Sequence, residues 1–393
     1  MLVSLAILFL CALVLGECCT KLKLPKLLGM LVTGIILGPF CLKLIAPSIL
    51  NISAELRKIA LVIILIRAGL SLNIKQLKKA GRPAVLLCFV PACFEIVGVM
   101  VGGRLLLGLS LLEGALLGSV LAAVSPAVIV PRMIHLIEKG YGEERAIPQM
   151  IMAGASVDDV FVITIFTALC SLVKGQGMSY TSFVRIPFAI IVGILAGCVV
   201  GWILYKLFTR IHIRDTVKVL IILSVCFLLS GLEESIEKVI PFSGLIGVMA
   251  LGAFYYNRNY EVAGRLSAKF SKIWIGAEIL LFVLVGASVD TSYLVKAGVT
   301  AILVVLIGLV FRMAGVGCCV TGTQLNKKER LFSMIAYTPK ATVQAAIGAT
   351  PLAMGFSCGN IILVTAIVAI LLTAPLGAVG VDLTYKKLLE REE

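Results

Sequence analysis

The sequence predicts an all-α polytopic membrane protein: about thirteen transmembrane helices, two inverted six-helix repeats and a pair of crossed broken helices. Three observations predict it. The chain is too apolar to clothe a soluble fold, it resembles itself at an offset of 217 residues, and prolines interrupt matching apolar runs in its two halves.

Of 393 residues, 60% are hydrophobic and 14% are charged, with a mean hydropathy of +1.10. A soluble domain carries about 25% charged residues. Repeated apolar runs of roughly 17–25 residues fit membrane-spanning helices instead, and strand-like alternation is absent, against a transmembrane barrel. In a soluble chain the net charge of +14 would suggest nucleic acid. Here the basic residues sit between apolar runs, where they report orientation, and no nucleic acid is expected. The twelve cysteines lie mostly inside apolar runs (Cys88, Cys93, Cys170, Cys198, Cys226) and read as small hydrophobes. Cys18-Cys19 and Cys318-Cys319 lack zinc-ligand spacing and only two histidines exist, so neither a structural metal centre nor a cofactor is expected.

The candidate spans are 2–17, 27–42, 58–73, 84–103, 110–131, 147–173, 186–208, 216–232, 239–256, 273–289, 298–321, 330–350 and 359–384. No positive charge precedes the first and no A-x-A-like site follows it, so it reads as a retained helix, not a signal peptide. With the N-terminus outside, 24 Lys and Arg fall on the cytoplasmic side and 8 on the outer side. That asymmetry orients the chain with its C-terminus in the cytoplasm of a multi-pass cell-membrane protein. No loop is long enough to fold alone. Residues 1–393 therefore read as a single transmembrane domain: repeat one about 2–173, a linker helix about 186–208, repeat two about 216–384.

Between 69–99 and 286–316, eleven of 31 positions are identical, among them Gly69/Gly286, Ser71/Ser288, Lys79-Ala80-Gly81/Lys296-Ala297-Gly298, Phe94/Phe311 and Gly98/Gly315. Pro25 and Pro241 open corresponding spans. Six crossings return the chain to its starting side and the seventh moves it across, so the second repeat is inserted upside down, a recurrent transporter design.

Pro126 in Val124-Ser125-Pro126 and Pro339 in Thr338-Pro339-Lys340 interrupt the fifth and twelfth spans. A lone proline is more often a simple kink. Two at equivalent places point to broken helices at a transport site, because unpaired backbone in lipid is tolerated only where it is buried in protein or lines a wet cavity. Crossed antiparallel, such helices bring partial charges of both signs face to face. Lys340 would offset the negative ends, the alternative being a snorkelling lysine.

Asp158 and Asp159 lie near the middle of the sixth span, where ionisable groups suggest an ion or proton pathway. One of them could be a structural carboxylate. Both cannot easily be, since neighbours on a helix point about 100° apart. Two carboxylates so close in a low dielectric resist joint ionisation and titrate as a coupled pair, able to trade a proton for a bare cation. Ala155 lies one turn before them. Glu95 and Arg312, 217 apart, occupy the same position in the two repeats. A pseudo-twofold axis would bring them together as a structural charge pair, which is costly to break from one side. Arg67 has no assigned role, and Glu278 and Asp290, near span ends, are expected to be solvated.

These residues resemble a known family. Leu24-Pro25-Lys26-Leu27-Leu28-Gly29, followed by Thr33-Gly34-Ile35-Ile36-Leu37-Gly38-Pro39, resembles the opening signature of monovalent cation:proton antiporters. Asp158-Asp159 resembles that superfamily's ion-site motif. Thr338-Pro339-Lys340-Ala341-Thr342-Val343-Gln344-Ala345-Ala346 resembles the sodium/hydrogen antiporter branch shared by animals and bacteria, paired-Asp type. The resemblance implies a homodimer with a dimerisation domain and a mobile core domain. It implies sodium, or lithium, held at Asp159 with Asp158 assisting, and backbone oxygens near Ala123, Val124 and Ser125 completing the site. Many relatives with the paired-Asp motif place a lysine on the helix equivalent to 298–321, where Arg312 stands here, as partner of the first aspartate. Glu95 is the alternative partner here, and arginine does not titrate.

The leading expectation is therefore sodium (or lithium)/proton antiport by alternating access, in a secondary active transporter and not an enzyme. Sodium-coupled organic-anion symport on a related fold would need a sizeable cavity. An intramembrane aspartyl protease needs its two carboxylates on facing helices.

Overall fold

The computed structural model describes residues 1–22, 24–72, 81–174, 180–236 and 242–391. Pro241 and the Lys79-Ala80 pair lie outside them. Apart from one isolated bridge between Tyr141 and Arg391, the regular structure among the described residues is helical. Among the described residues nine helical stretches are long and apolar enough to cross a membrane, the second and third of them interrupted: Leu2–Lys21, Gly81–Leu107, Leu111–Glu138, Ile147–Val173, Ile191–Arg210, Asp215–Glu233, Tyr260–Ala287, Gly298–Val320 and Gly359–Leu388. The other four expected spans coincide with shorter helices: Lys26–Leu37, Ser53–Gly69, Gly244–Arg258, and the interrupted stretch Lys327–Ala336 plus Thr342–Ile347.

Several span ends shift by a few residues from the sequence reading, and two spans differ more. The fourth span is not one helix but Gly81–Leu87 and Val90–Leu107, parted at Cys88-Phe89. Pro91, in the first turn of the second piece, has no N–H to continue the preceding ladder. The tenth helix begins at Tyr260, well before the expected 273. Glu278 is therefore well inside it and half-buried, not solvated at an end. Charged residues such as Lys269 and Lys272 had made that first stretch look like a loop.

The chain divides into two compact units. One comprises Met1–Ala54, Gln76–Lys174 and Leu281–Glu393; the other comprises Glu55–Lys75 and Gly175–Leu280. In the second unit, Ser53–Gly69 meets Gly244–Arg258 through glycine: a methyl group on Gly252 would lie 2.8 Å from the Leu70 nitrogen. The first unit contains Glu95, Asp158, Asp159, Arg312 and Lys340.

Within that first unit, residues 217 apart pack reciprocally. Val90–Leu107 lies against Thr291–Val320. A methyl group on Gly98 would sit 2.6 Å from the Phe311 ring, and one on Gly315 would sit 3.1 Å from Cβ of Phe94. Each phenylalanine fills the space left by the other helix's glycine, so both backbones approach closely. Glu95 and Arg312 face each other across the same contact.

Both interrupted spans open on the same device. Ser110 caps Leu111–Leu121 in a capping box with Glu113, and Asn326 caps Lys327–Ala336 in a capping box with Glu329. Each box satisfies two otherwise orphaned N–H groups. Helix then runs to Leu121 and Ala336, stops, and resumes at Pro126 and Thr342.

Candidate functional site

The first break is built by proline chemistry. Pro126 starts the half-helix Pro126–Glu138, where its missing N–H is harmless. Ser125 is extended, with φ −89° and ψ 109°, and its side chain does not cap that helix. The second break spans Tyr337 to Ala341. The two meet directly, since the Ser125 N–H donates to the Pro339 carbonyl at 2.8 Å. Lys340 N–H in turn donates to Thr373 Oγ1 at 3.0 Å.

A helix end exposes carbonyls that need partners from elsewhere. Side chains supply them here. Leu121 O accepts from Lys340 Nζ at 2.6 Å and from Gln344 Nε2 at 3.1 Å. Ala122 O accepts from Arg312 Nη1. Ala123 O accepts from Gln344 Nε2 at 2.9 Å. Tyr337 O, at the end of the other half-helix, accepts from Arg312 Nε at 2.7 Å. Arg312 thus holds the carbonyl ends of both half-helices. That use of a rigid fork of donors is one a lysine cannot reproduce.

The same arginine joins two acids. Its Nη1 donates to Glu95 Oε2 at 3.0 Å and its Nη2 to Asp158 Oδ2 at 2.9 Å. The sequence reading offered Glu95 as an alternative to the first aspartate; the structure gives Arg312 both. Glu95 has a second cation, because Lys340 Nζ lies 2.6 Å from Glu95 Oε1, close enough for an ion pair though not aligned as a hydrogen bond. Lys340 therefore serves both the Leu121 carbonyl and a carboxylate and does not snorkel; its side chain is fully buried.

Asp158 is held on three counts: it is fully buried, paired with Arg312, and accepts the Val124 N–H at 2.8 Å. Asp159 differs. Among the described residues Oδ1 of both aspartates lacks a hydrogen-bond partner, but no ion pair there involves Asp159, and it keeps 9% exposure where Asp158 keeps none. Glu95, Asp158 and Asp159 thus face two cations, Arg312 and Lys340, and Asp159 is the carboxylate left over.

The remaining expected residues fall as follows. Ser125 O accepts from Val128 N and Ile129 N, both at 3.2 Å, while Ser125 Oγ has no partner among the described residues. Ala123 O is taken by Gln344. No hydrogen bond among the described residues ends on Val124 O. Ala155 is fully buried in an apolar cluster with Val124, Leu87, Ile151 and Tyr337. Arg67 is half-buried and belongs to the other unit. Sequence reasoning missed Gln344 as a partner of the first break, although a fully buried amide inside an apolar span was a visible signal. The Asp158–Arg312 pair, which no repeat offset relates, was suggested only by the resemblance, with Glu95 as the alternative.

The chain matches the family described as "Sodium/hydrogen exchanger, transmembrane" over residues 5–386. It is 33% identical over 410 residues to "Sodium/hydrogen exchanger 9B2" of Xenopus tropicalis, covering 99% of this chain and 75% of that protein. It is 31% identical over 381 residues to "Sodium/hydrogen exchanger 9B1" of Homo sapiens, covering 94% and 73%. Its fold superposes on the sodium proton antiporter MjNhaP1 from Methanocaldococcus jannaschii with a TM-score of 0.86 at 21% identity, over 98% of this chain and 97% of the other.

Proposed function

The chain is a member of the sodium/hydrogen exchanger family, and from that premise we propose that it exchanges sodium (or lithium) for protons across the membrane, proton and cation competing for Asp159. The observation that carries the reading is the charge balance. With Asp159 ionised, three carboxylates face two cations. One proton or one monovalent cation on Asp159 restores neutrality, and a buried site favours whichever state is neutral. Asp158 assists without carrying, since its Oδ2 is committed to Arg312 and to the first break. Arg312 cannot release a proton.

Sodium and lithium are hard cations that prefer oxygen, by extension from the divalent cases. Asp159, Asp158 Oδ1, the Val124 carbonyl and Ser125 Oγ supply oxygens unclaimed among the described residues, on the Asp helix and the first break. Alternating access then exposes Asp159 to one side and the other in turn. The reading includes thirteen spans in two inverted repeats, the N-terminus outside and the C-terminus in the cytoplasm, in the lipid bilayer of the cell membrane, as a homodimer. The reciprocal Gly98–Phe311 and Gly315–Phe94 packing supports the repeat symmetry.

The test is a pH gradient across proteoliposomes, dissipated by added sodium, lithium or potassium. Sodium and lithium should collapse it in the wild type and fail in Asp159→Asn. Near-normal sodium-driven proton movement in Asp159→Asn would remove the central claim.

A further inference from the structure

We propose that Gln344 is a positioning residue for the ion site, and that it sets discrimination between sodium and lithium by deciding which carbonyls of the first break are free to meet the cation. The proposal rests on the antiport reading above.

Four backbone groups between Leu121 and Val124 are held by side chains from other helices and from the second break. Lys340 and Gln344 hold Leu121 O, Arg312 holds Ala122 O, Gln344 alone holds Ala123 O, and Asp158 takes Val124 N–H. Three of these four partners belong to the charged cluster that also contains Glu95. Their pull on the backbone changes whenever the charge of the cluster changes. Gln344 is the neutral one, so its hold is the same whether Asp159 carries a proton, a cation or nothing.

The orientation of the amide follows from its surroundings. Leu121 O and Ala123 O can only accept, so the NH2 end must face them. Gln344 Oε1 is left buried without a donor among the described residues. The side chain tolerates that orphan oxygen because its nitrogen end is needed at the break. Both carbonyls are thereby turned toward Gln344 and out of competition for the ion. Val124 O, between Ala123 O and the Ser125 O taken by the next half-helix, accepts nothing among the described residues. The donor set that Asp159 can share is therefore defined by what Gln344 removes from it.

Freeing Ala123 O alters the number and spacing of carbonyl dipoles available, which is how backbone oxygens distinguish cations of one charge and different size. The experiment uses the full-length protein in proteoliposomes, with Gln344→Met, which keeps length and loses both donors, and Gln344→Glu, which keeps shape and has at most one. Sodium and lithium KM and Vmax are measured at one pH for wild type, both variants and Asp159→Asn. The expected result is a change of about fivefold or more in the ratio of the lithium and sodium KM values in Gln344→Met, with the same direction in Gln344→Glu, and KM changing more than Vmax. Sodium-induced thermal protection in detergent gives a second reading of affinity that needs no transport, should a variant insert poorly. An unchanged lithium-to-sodium ratio by both readings, with only Vmax lowered, overturns the proposal and leaves antiport standing. Absence of any alkali-cation response in the wild type would instead overturn the antiport reading itself.

Discussion

Removal of the Glu95 carboxylate is the perturbation the structure defines best. Glu95 has no exposed surface, and its two oxygens face Arg312 at 3.0 Å and Lys340 at 2.6 Å. Glu95→Ala leaves both cations in place with one ionised partner, Asp158, which among the described residues pairs with Arg312 and not with Lys340. Breaking a buried pair from one side costs about 3–5 kcal/mol. At about 1.4 kcal/mol per decade, that is a hundredfold to several-thousandfold loss in the folding equilibrium. The two possible repairs are unequal. Removing Lys340 as well leaves Arg312 paired with Asp158 and the first break still held by Arg312 and Gln344. Removing Arg312 as well strands Asp158 and Lys340 and releases Ala122 O and Tyr337 O. Glu95→Ala/Lys340→Ala should therefore recover more stability than Glu95→Ala/Arg312→Ala. Apparent melting midpoints in detergent, at one scan rate, measure these three variants together with Lys340→Ala and Arg312→Ala alone. If both cycles are simply additive, within about 0.5 kcal/mol, Glu95 touches neither cation and the cluster described here is wrong.

Three further outcomes follow from the same geometry. Asp158→Asn should lower both transport and thermal stability, because it weakens the Arg312 pair and the Val124 contact together, whereas Asp159→Asn should abolish transport with the smaller stability change; paired transport and melting measurements separate the two. Acidification adds the competing proton, so in the range where Asp159 is mostly protonated the sodium KM should rise about tenfold for each pH unit lowered while Vmax changes much less; a pH-independent KM with only Vmax falling would place the proton at a separate regulatory site. Since Arg312 keeps its proton and Asp158 stays paired, each cycle should move one cation against one proton, and clamping the membrane potential with potassium and valinomycin should leave the sodium-driven rate unchanged; a rate that follows the imposed potential would mean that a second group in the cluster titrates.

Much of this protein was legible one residue at a time. Length and apolarity of the runs marked most helices, because lipid forces every backbone group to pair within its own helix. Pro126 and Pro339 marked both breaks, because a missing N–H is a local fact about one residue. Asp158 and Asp159 stood out because charge inside an apolar run has few structural reasons to be there. The 217-residue offset even brought Glu95 to Arg312, since symmetry relates the two without any coordinates. The tertiary structure decided what local pattern and symmetry do not encode. Asp158 shares Arg312 with Glu95, Lys340 reaches a carboxylate as well as a helix end, and Gln344 holds two carbonyls of a helix more than two hundred residues away in sequence. Those choices depend on which side chains several independent helices bring within about 3 Å of one another. The distinction between the two aspartates has the same origin. Their sequence neighbourhood is shared, and the packing around each gives Asp158 an arginine and a backbone donor while no ion pair among the described residues involves Asp159, the carboxylate proposed to take the proton or the cation.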